Sequence, residues 1–339
     1  MTKPQSPDSP SGYACEPSVP WTSYIGSLPS WRDLDGEVER LLGCRAVAVP
    51  SVRVGMLWAL EHLGLSRHED EVLIPRFMGR CILDALNRAA RPVHELGPRT
   101  RAAVVVHSYG SAPDWERLAP ALKAKGIPFM EDAPCALLRR EKPAPGSLGK
   151  FIALSKMLPI LKGGCLLTED ASLRSAVLER REQRGPFWVP WCILGGTAPL
   201  RSGRFMEGVV SAEVAYALYP HSPADNVALR SCFVRGLRQL EEYSLLETRR
   251  MRELAQAAGS RLLRPEDPLV VHAAAVLAER TDMGEQLAAC GFYPELRHVD
   301  TARNLLAPKF ERAHLLPLHP GVPEQAFARL LEIIRKARK

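Results

Sequence analysis

FIALSKMLPILKGGCLLTED, residues 151–170, places a lysine between two short apolar runs. Lys156 follows the first run, and the turn residues Gly163 and Gly164 precede the second. Short apolar runs bounded by turn signals are typical of buried strands. The stretch therefore predicts a strand, a lysine-bearing connection and a second strand.

Lys156 is paired in the sequence with Asp132, which ends the apolar part of IPFMEDAPCA. Alone, a lysine after a strand is usually a solvated loop charge, and an acid after an apolar run is commonly a helix cap. Together they indicate cofactor chemistry. A lysine can hold an aldehyde cofactor as a Schiff base, and a buried carboxylate can pair with the protonated ring nitrogen of pyridoxal phosphate.

Strand and helix signals alternate through the first two thirds of the chain, with strands predicted at AVAVP, EVLIP, AAVVVHS and IPFME. Such alternation predicts a mostly parallel α/β sheet, in which ligands bind beyond the carboxyl ends of the strands. Four polar or aromatic candidates fall at these ends: Ser51, Phe77, His107 and Asp132.

The chain of 339 residues, 46% hydrophobic, can bury the cores of one large and one smaller domain. We predict a loose leader over residues 1–23, a large domain over 24–225, and a connecting helix with a small domain over 226–339. The long helix is predicted over residues 227–258 from its apolar spacing. Its charge run from Glu247 to Arg252 is expected on a solvated face.

Composition and charge indicate which classes of binding partner to expect. The formal charge is +7, but basic and acidic residues are interspersed and no nucleic-acid-binding motif occurs, so an anionic small molecule is the expected partner. The eight cysteines show no metal-ligand spacing, and we predict no metal site. The polar N-terminus and the lack of an apolar run of membrane-spanning length favour a cytoplasmic protein without membrane contact.

Several ordered segments together resemble one enzyme family. They are HSYG, EDAPCA, GSLG and the SK and GG pairs, with RLLGCRAVAVPSVRVGMLWALEHLGL near the start and HLLPLHPGVPEQAFARLLEIIRKARK at the end. This series resembles the DegT/DnrJ/EryC1/StrS family of pyridoxal-phosphate enzymes, best known as sugar aminotransferases. The resemblance implies an aspartate aminotransferase-like large domain with a mostly parallel sheet flanked by helices, a smaller C-terminal α/β domain, and a homodimer with shared active sites.

The phosphate of the cofactor is expected at the start of the first cofactor-domain helix. Ser51 can cap that helix while the first backbone N–H groups face an anion. The family usually has Ser-Gly-Thr here, whereas this chain has Ser51, Val52 and Arg53. Arg53 either replaces the lost hydroxyl contact with a charge-assisted one or points to solvent.

Other cofactor contacts are carried over from the family with departures. The family's ring-stacking position falls in RFMG, which makes Phe77 and Met78 the candidates, although Phe77 is equally expected in the core. Cys135 stands where family members carry Gln or His, and small-residue core packing is the competing interpretation. Ser155 precedes the lysine, and Arg204 stands where the family has an asparagine that binds the phosphate in the neighbouring subunit.

The predicted function is that of an aminotransferase of secondary-metabolite biosynthesis, in which Lys156 moves the α-proton of an amine substrate and a ketone receives the amino group. The resemblance implies a nucleotide-linked keto sugar or a cyclitol as the ketone. Two alternatives stay open: an elimination, substitution or condensation enzyme that uses the same cofactor, and a catalytically silent binding partner.

Overall fold

A computed structural model of the chain describes Tyr13 and residues 30–138, 142–160, 163–182, 227–263, 268–278, 282–293 and 295–337. Strands and helices alternate through the first part of the described chain, as the sequence predicts. In chain order these elements are α1 (Trp31–Leu42), β1 (Ala46–Val49), α2 (Val52–His62), β2 (Glu71–Leu73), α3 (Arg80–Ala89), β3 (Arg91–Val93), β4 (Thr100–Val106), α4 (Trp115–Ala124), β5 (Phe129–Asp132), β6 (Ala136–Leu138), β7 (Ser147–Ile152), α5 (Leu154–Met157), β8 (Gly164–Leu167) and α6 (Ala171–Glu182).

The last part of the described chain begins with two helices and ends with one. Its elements are α7 (Val227–Arg238), α8 (Leu240–Ala258), β9 (Leu262–Leu263), β10 (Pro268–Val271), β11 (Ala274–Leu277), α9 (Met283–Ala289), β12 (Glu295–Asp300), β13 (Phe310–Leu316) and α10 (Glu324–Ala337), with a 3₁₀ turn at Gly259–Arg261.

Seven strands form the large sheet, in the order β1-β8-β7-β5-β4-β2-β3. The pairs from β3 through β7 are parallel, and β8 pairs antiparallel with both of its neighbours. Its central strands are buried on both faces, under α2, α3 and α6 on one side and under α1, α4 and α7 on the other. The predicted mostly parallel α/β sheet flanked by helices is confirmed.

A buried ion pair fastens α1 and α6 to β1. Asp35 accepts hydrogen bonds from both terminal nitrogens of Arg181, at 2.7 and 2.9 Å, and from the backbone N–H of Ala48 at 2.7 Å. Arg181 also donates to the Ala48 carbonyl at 2.9 Å. Because every polar group of this contact except the Arg181 Nε is satisfied by the protein, the buried charges serve the packing of the helices.

The C-terminal part is built on a four-stranded antiparallel sheet in the order β12-β13-β11-β9. One face packs against α8, α9 and α10. The other face, formed by small and branched side chains, packs against Tyr109, from the segment that follows β4. A short antiparallel pair of β6 and β10 joins the two sheets. The predicted division into domains stays a prediction, because both of its boundaries fall outside the described residues.

One sequence expectation about the connecting helix is wrong, and a second is only partly right. The predicted single helix is two helices, α7 and α8, which meet at Gln239; its N–H bonds back only three residues, to the Gly236 carbonyl at 3.1 Å. Gly236 is packed directly on Ile160, where a side chain would collide. The chain therefore changes direction close to a tight contact with the large-domain core.

The charge run on α8 is a solvated face only in part. Arg249 and Arg252 are exposed, as expected, whereas Glu247 and Arg250 are only 2% and 1% exposed. Glu247 accepts from the Val271 N–H at 2.8 Å, and Arg250 donates to the carbonyls of Leu318, His319 and Val322. Burial raises the pKa of Glu247 to about 8. The burial of Glu247 and Arg250 could not be predicted, because sequence spacing does not show that distant segments supply backbone hydrogen-bond partners for them.

Across the described residues, the structure contains no helix that is both long and apolar enough to cross a bilayer.

Candidate active site

One cavity of about 870 Å³ opens at the carboxyl ends of the large-sheet strands and is closed by the C-terminal sheet. It brings together nine of the ten predicted catalytic and cofactor-binding residues, and His107 with them. Those nine are Ser51, Val52, Arg53, Phe77, Met78, Asp132, Cys135, Ser155 and Lys156. The tenth, Arg204, lies outside the described residues.

The start of α2 forms one end of this cavity. Ser51 has extended backbone geometry and its Oγ accepts from the Val54 N–H at 3.4 Å, so the residue caps the helix as predicted. The first N–H groups of a helix point outward along its positive end, where an anion binds well. A side chain at Gly164 would collide with the Ile152 carbonyl and reach Val52 at 2.9 Å. This glycine lets β8 pass close beneath the start of α2.

Asp132 is the most unusual side chain of the cavity. It ends β5, is 3% exposed, and its Oδ1 has no hydrogen-bond partner in the described protein. Burial raises its pKa to about 6, and the positive charge of Lys156 acts in the opposite direction. Buried carboxylate oxygens are normally hydrogen-bonded, so an unpaired one calls for a donor from a ligand.

Lys156 lies on the one-turn helix α5, between β7 and β8. Its N–H donates to the Ala153 carbonyl at 3.1 Å, and the Ser155 N–H donates to the Gly163 carbonyl at 3.2 Å. The first bond closes the turn that carries the lysine, and the second holds this turn beside Gly163, so the lysine lies at the strand ends. The half-buried side chain is near enough for its charge to influence Asp132, Tyr109 and His272.

His107 is held by a buried carboxylate next to Asp132. Its Nε2 lies 2.9 Å from Glu131 Oε2, and the other Glu131 oxygen accepts from the Ala144 N–H at 2.6 Å. The His107 ring also rests at a tilt against Trp115. Successive residues of a strand point to opposite faces, so Glu131 anchors the histidine from behind while Asp132 faces the cavity.

Phe77 and Met78 reach the cavity in different ways. The Phe77 ring stacks on His298 with centroids 4.0 Å apart and meets Phe310 edge-on at 4.8 Å. It is 44% exposed, so the competing expectation of a core residue is wrong. Met78 packs partly against the core around α2 and α3. Which of the two covers the cofactor ring stays a prediction.

Sequence reasoning missed the wall that the C-terminal sheet contributes. Glu295, Leu296, Arg297 and His298 of β12 and the buried His272 all line the cavity. Arg297 is paired with Glu295 at 2.5 Å on the same strand. A histidine inside the apolar run LVVHAAAVL was a readable signal for His272, whereas nothing in the sequence of β12 shows which way that strand faces.

Tyr109 belongs to the HSYG motif, and the sequence predicted no role for it. It lies where the two sheets meet. Its backbone has φ 50°, a left-handed conformation that is uncommon outside glycine and costs energy. Its ring packs on the C-terminal sheet and lines the cavity, and burial raises the pKa of its hydroxyl, which therefore stays protonated at neutral pH. Cys135 is buried in the same wall, and its carbonyl accepts from the His272 N–H at 2.8 Å.

The donor set of this cavity fits pyridoxal phosphate. An unpaired buried carboxylate oxygen suits a protonated pyridine nitrogen, a capped helix start suits a phosphate, and a lysine amine suits an aldehyde. Within the described residues, His, Cys, Asp and Glu side chains form no group of three that could hold a metal ion.

Comparison with known proteins agrees with this reading of the site. The family model described as "Putative PLP-dependent aminotransferase" matches residues 44–337. The chain belongs to this family. The predictions of a pyridoxal-phosphate enzyme of the aminotransferase class and of its cofactor are thereby confirmed.

Individual relatives are more distant. An L-glutamine:scyllo-inosose aminotransferase from Streptomyces griseus is 35% identical over 100 residues, which cover 27% of this chain and 22% of that protein. The chain thus matches about a fifth of the length of this relative.

Two solved structures share the fold over almost the whole chain. The aminotransferase TlmJ from Streptoalloteichus hindustanus has a TM-score of 0.64 at 20% identity and covers 94% of this chain and 93% of its own. A DegT DnrJ EryC1 StrS aminotransferase from Brucella abortus has a TM-score of 0.61 at 15% identity, with 90% and 89% covered. The predicted fold resemblance to the DegT/DnrJ/EryC1/StrS enzymes is confirmed.

Proposed function

We propose that the protein transfers an amino group from an amino acid to a ketone on a polyhydroxylated ring, a sugar or a cyclitol, in the biosynthesis of a secondary metabolite. The observation that supports this most directly is the Asp132 carboxylate, buried with one oxygen unpaired in the same cavity as Lys156. The ring-shaped ketone is suggested by the scyllo-inosose aminotransferase relative and by the resemblance to sugar aminotransferases.

Three parts of the cavity would hold the cofactor. Ser51 and the first N–H groups of α2, with Arg53 beside them, would bind the phosphate. Asp132 would accept the N–H of the pyridine ring, and Lys156 would bind the aldehyde carbon. When bound, pyridoxal phosphate supplies an electrophilic carbon for an amine and a ring that accepts the electron pair left by a broken C–H bond.

The protein's own residues would then manage protons. Once the substrate amine has displaced the Lys156 amine, that amine would accept the proton from the α-carbon of the amino donor and deliver it to the cofactor carbon that keeps the nitrogen. In the second half of the transfer it would move a proton in the reverse direction, to the carbon of the ketone substrate. An ionised Asp132 would keep the ring nitrogen protonated, since its own pKa of about 6 leaves it charged at neutral pH. The amino acid leaves as a keto acid, and the ketone substrate leaves as an amine.

The size of the cavity agrees with two occupants. A volume of about 870 Å³ lies in the upper range for small-molecule sites and exceeds what a cofactor alone requires. The hydrogen-bonding groups that line it, His272 and His298 from the C-terminal part and Tyr109 from the segment after β4, suit the hydroxyls of a polyol ring.

We further propose a homodimer in which Arg204 of one subunit reaches the phosphate in the other. This rests on the family resemblance, and Arg204 lies outside the described residues. Sedimentation of the natural protein, and a fall in cofactor affinity for Arg204→Ala without a change in sedimentation, would support it. A monomer that binds the cofactor normally would contradict it.

The test of the function starts from covalent labelling. The purified protein is incubated with pyridoxal phosphate, reduced with borohydride, digested and analysed by mass spectrometry, beside Lys156→Ala and the control Lys142→Ala, which changes an exposed lysine. We expect a cofactor adduct on Lys156 in the natural protein and the control, and none in Lys156→Ala. Absence of the adduct in the natural protein would contradict the proposal.

The same protein then distinguishes amino transfer from the alternatives. L-glutamine or L-glutamate should convert the bound cofactor to pyridoxamine phosphate, and scyllo-inosose or a keto sugar should reverse the conversion. If the adduct forms but no amino acid yields pyridoxamine phosphate, the transfer proposal is wrong and an elimination, substitution or condensation enzyme is favoured.

A further inference from the structure

His272, from the C-terminal part of the chain, contacts the backbone of Lys156 directly. It follows β10 and precedes β11, at the junction of the short and the four-stranded sheets. Its ring Nδ1 lies 3.2 Å from the carbonyl oxygen of Lys156, and its backbone N–H donates to the Cys135 carbonyl at 2.8 Å. One residue thus ties the Lys156 turn, the loop after Asp132 and the C-terminal sheet together.

The chemistry of the contact fixes the state of the ring. A carbonyl oxygen only accepts, so Nδ1 carries the proton in this hydrogen bond, and a neutral ring keeps its lone pair on Nε2. Burial, and then the nearby charge of Lys156, lower the pKa of His272 to about 3. His319 and Arg297 also face it and act in the same direction. These effects favour the neutral ring at neutral pH.

The acceptor in this bond belongs to a segment that needs support. The helix α5 has a single turn, and the last carbonyls of a helix have no partner inside it. The His272 ring supplies a donor to one of them, at Lys156, whose charge acts on Asp132. Movement of this backbone by a fraction of an ångström would change the distance from the Lys156 amine to the cofactor pocket.

We propose that His272 is a positioning residue, which holds the Lys156 turn through a hydrogen bond from its ring to the Lys156 carbonyl and thereby sets how firmly the cofactor is held at that lysine. The inference rests on the proposed function only in that Lys156 binds the cofactor covalently, and it does not require amino transfer. A second contact of the same residue, at Cys135, transmits the position of the C-terminal sheet to the site.

The experiment compares His272→Leu, which removes the donor, with His272→Asn, whose amide N–H can take the place of Nδ1–H. The matched control is His314→Leu, because His314 is buried to a similar degree, 5% against 7% exposed, and lies outside the cavity lining. Thermal unfolding of the cofactor-free proteins is measured first, since each of the three changes alters a buried position.

Two readouts other than turnover are then taken: the dissociation constant of pyridoxal phosphate and the pH midpoint of the visible absorbance of the Lys156 adduct. Loss of one hydrogen bond predicts a dissociation constant raised about 2- to 10-fold in His272→Leu, with a displaced pH midpoint. His272→Asn should restore both values, and His314→Leu should change neither.

An unchanged midpoint and dissociation constant in a folded His272→Leu would overturn the proposal, and so would an Asn variant as impaired as the Leu variant. If His272→Leu does not fold, the Asn variant is compared with His272→Gln, which places its amide at the Nε2 position. Equal behaviour of Asn and Gln would then overturn it. Failure of the natural protein to form the adduct contradicts the proposed function instead, so the two failures are distinguishable.

Discussion

Asp35 and Asp132 are both buried beside the large sheet, and the protein treats them in opposite ways. Both carboxylate oxygens of Asp35 accept hydrogen bonds, which come from Arg181 and from the Ala48 N–H. Asp132 keeps one oxygen without a protein donor, and its pKa is raised to about 6. Of these two carboxylates, the one with all of its bonds made serves the fold, whereas the incomplete one lines a cavity in which a ligand can supply the missing donor.

The difference follows from position on the sheet. Asp35 lies on a helix that covers a face of the sheet, where packing alone decides. Asp132 lies at the carboxyl end of a central parallel strand, the edge at which α/β proteins bind their ligands. Under the proposed function, a cationic ring nitrogen would offset the free energy by which the buried Asp132 charge destabilises the cofactor-free protein.

The largest effect is expected from removing Asp35, the carboxylate whose bonds are all made. Asp35→Ala leaves Arg181, whose side chain is 3% exposed, as an uncompensated buried charge. The free energy of unfolding should fall by about 3–5 kcal/mol. Chemical denaturation measures it, and the double variant Asp35→Leu with Arg181→Met should recover most of the loss. A loss no larger than that of an exposed ion pair would contradict the structural role of the pair.

The second prediction has the opposite sign. Asp132→Asn should stabilise the cofactor-free protein at pH 8 by on the order of 2 kcal/mol, because it removes a buried charge that the protein leaves unpaired. The raised pKa means that the folded natural protein holds its proton more tightly than the unfolded chain. The contribution of the Asp132 carboxyl to the free energy of unfolding is therefore fully present below its ordinary pKa of 3.8 and is lost as the pH rises through about 6.

Denaturation of the natural and Asp132→Asn proteins at pH 8 and pH 4 checks this sign. The gain should be present at pH 8 and vanish at pH 4. A variant that is less stable than the natural protein at pH 8 would show that Asp132 is satisfied in the absence of the cofactor.

Cofactor binding gives the third test. Affinity for pyridoxal phosphate should weaken as the pH falls below about 6, by up to about tenfold per unit, because the protonated carboxyl cannot pair with a protonated ring. The cofactor phosphate titrates in the same range. The Asp132→Asn variant has no carboxyl at this position but binds the same phosphate. The difference between the two curves of affinity against pH therefore gives the contribution of the Asp132 carboxylate. Parallel curves would contradict the account.

The smallest effect concerns the helix start. Ser51→Ala removes the hydrogen bond to the Val54 N–H, and loss of such a cap costs about 1 kcal/mol of stability. It should also weaken the binding of pyridoxal phosphate while leaving that of pyridoxal, which has no phosphate, unchanged. Equal weakening of both compounds would place the phosphate elsewhere.

The sequence revealed the half of the site that local patterns encode. Strand ends at Ser51, His107 and Asp132 are readable because apolar runs stop there, and Lys156 is readable from the turn that surrounds it. These residues lie on consecutive units of one sheet, so their convergence follows from the parallel topology.

The other half depends on contacts that span the chain and could not be read. His272 and Arg297 reach the cavity only because the C-terminal sheet folds back over the strand ends, and the ring of Phe77 finds its partner in His298 on that sheet. The buried state of Glu247 and Arg250 has the same origin, since their backbone partners come from distant segments. Residue type and spacing do not predict contacts between such distant segments.

The central claim is that the open oxygen of Asp132 is completed by the ring nitrogen of the cofactor. Pyridoxal phosphate labelled with ¹⁵N at that nitrogen, bound to the protein at pH 8, tests it directly by NMR. The account predicts the chemical shift of a protonated pyridine in the natural protein and that of an unprotonated one in Asp132→Asn. An unprotonated nitrogen in the natural protein would contradict it.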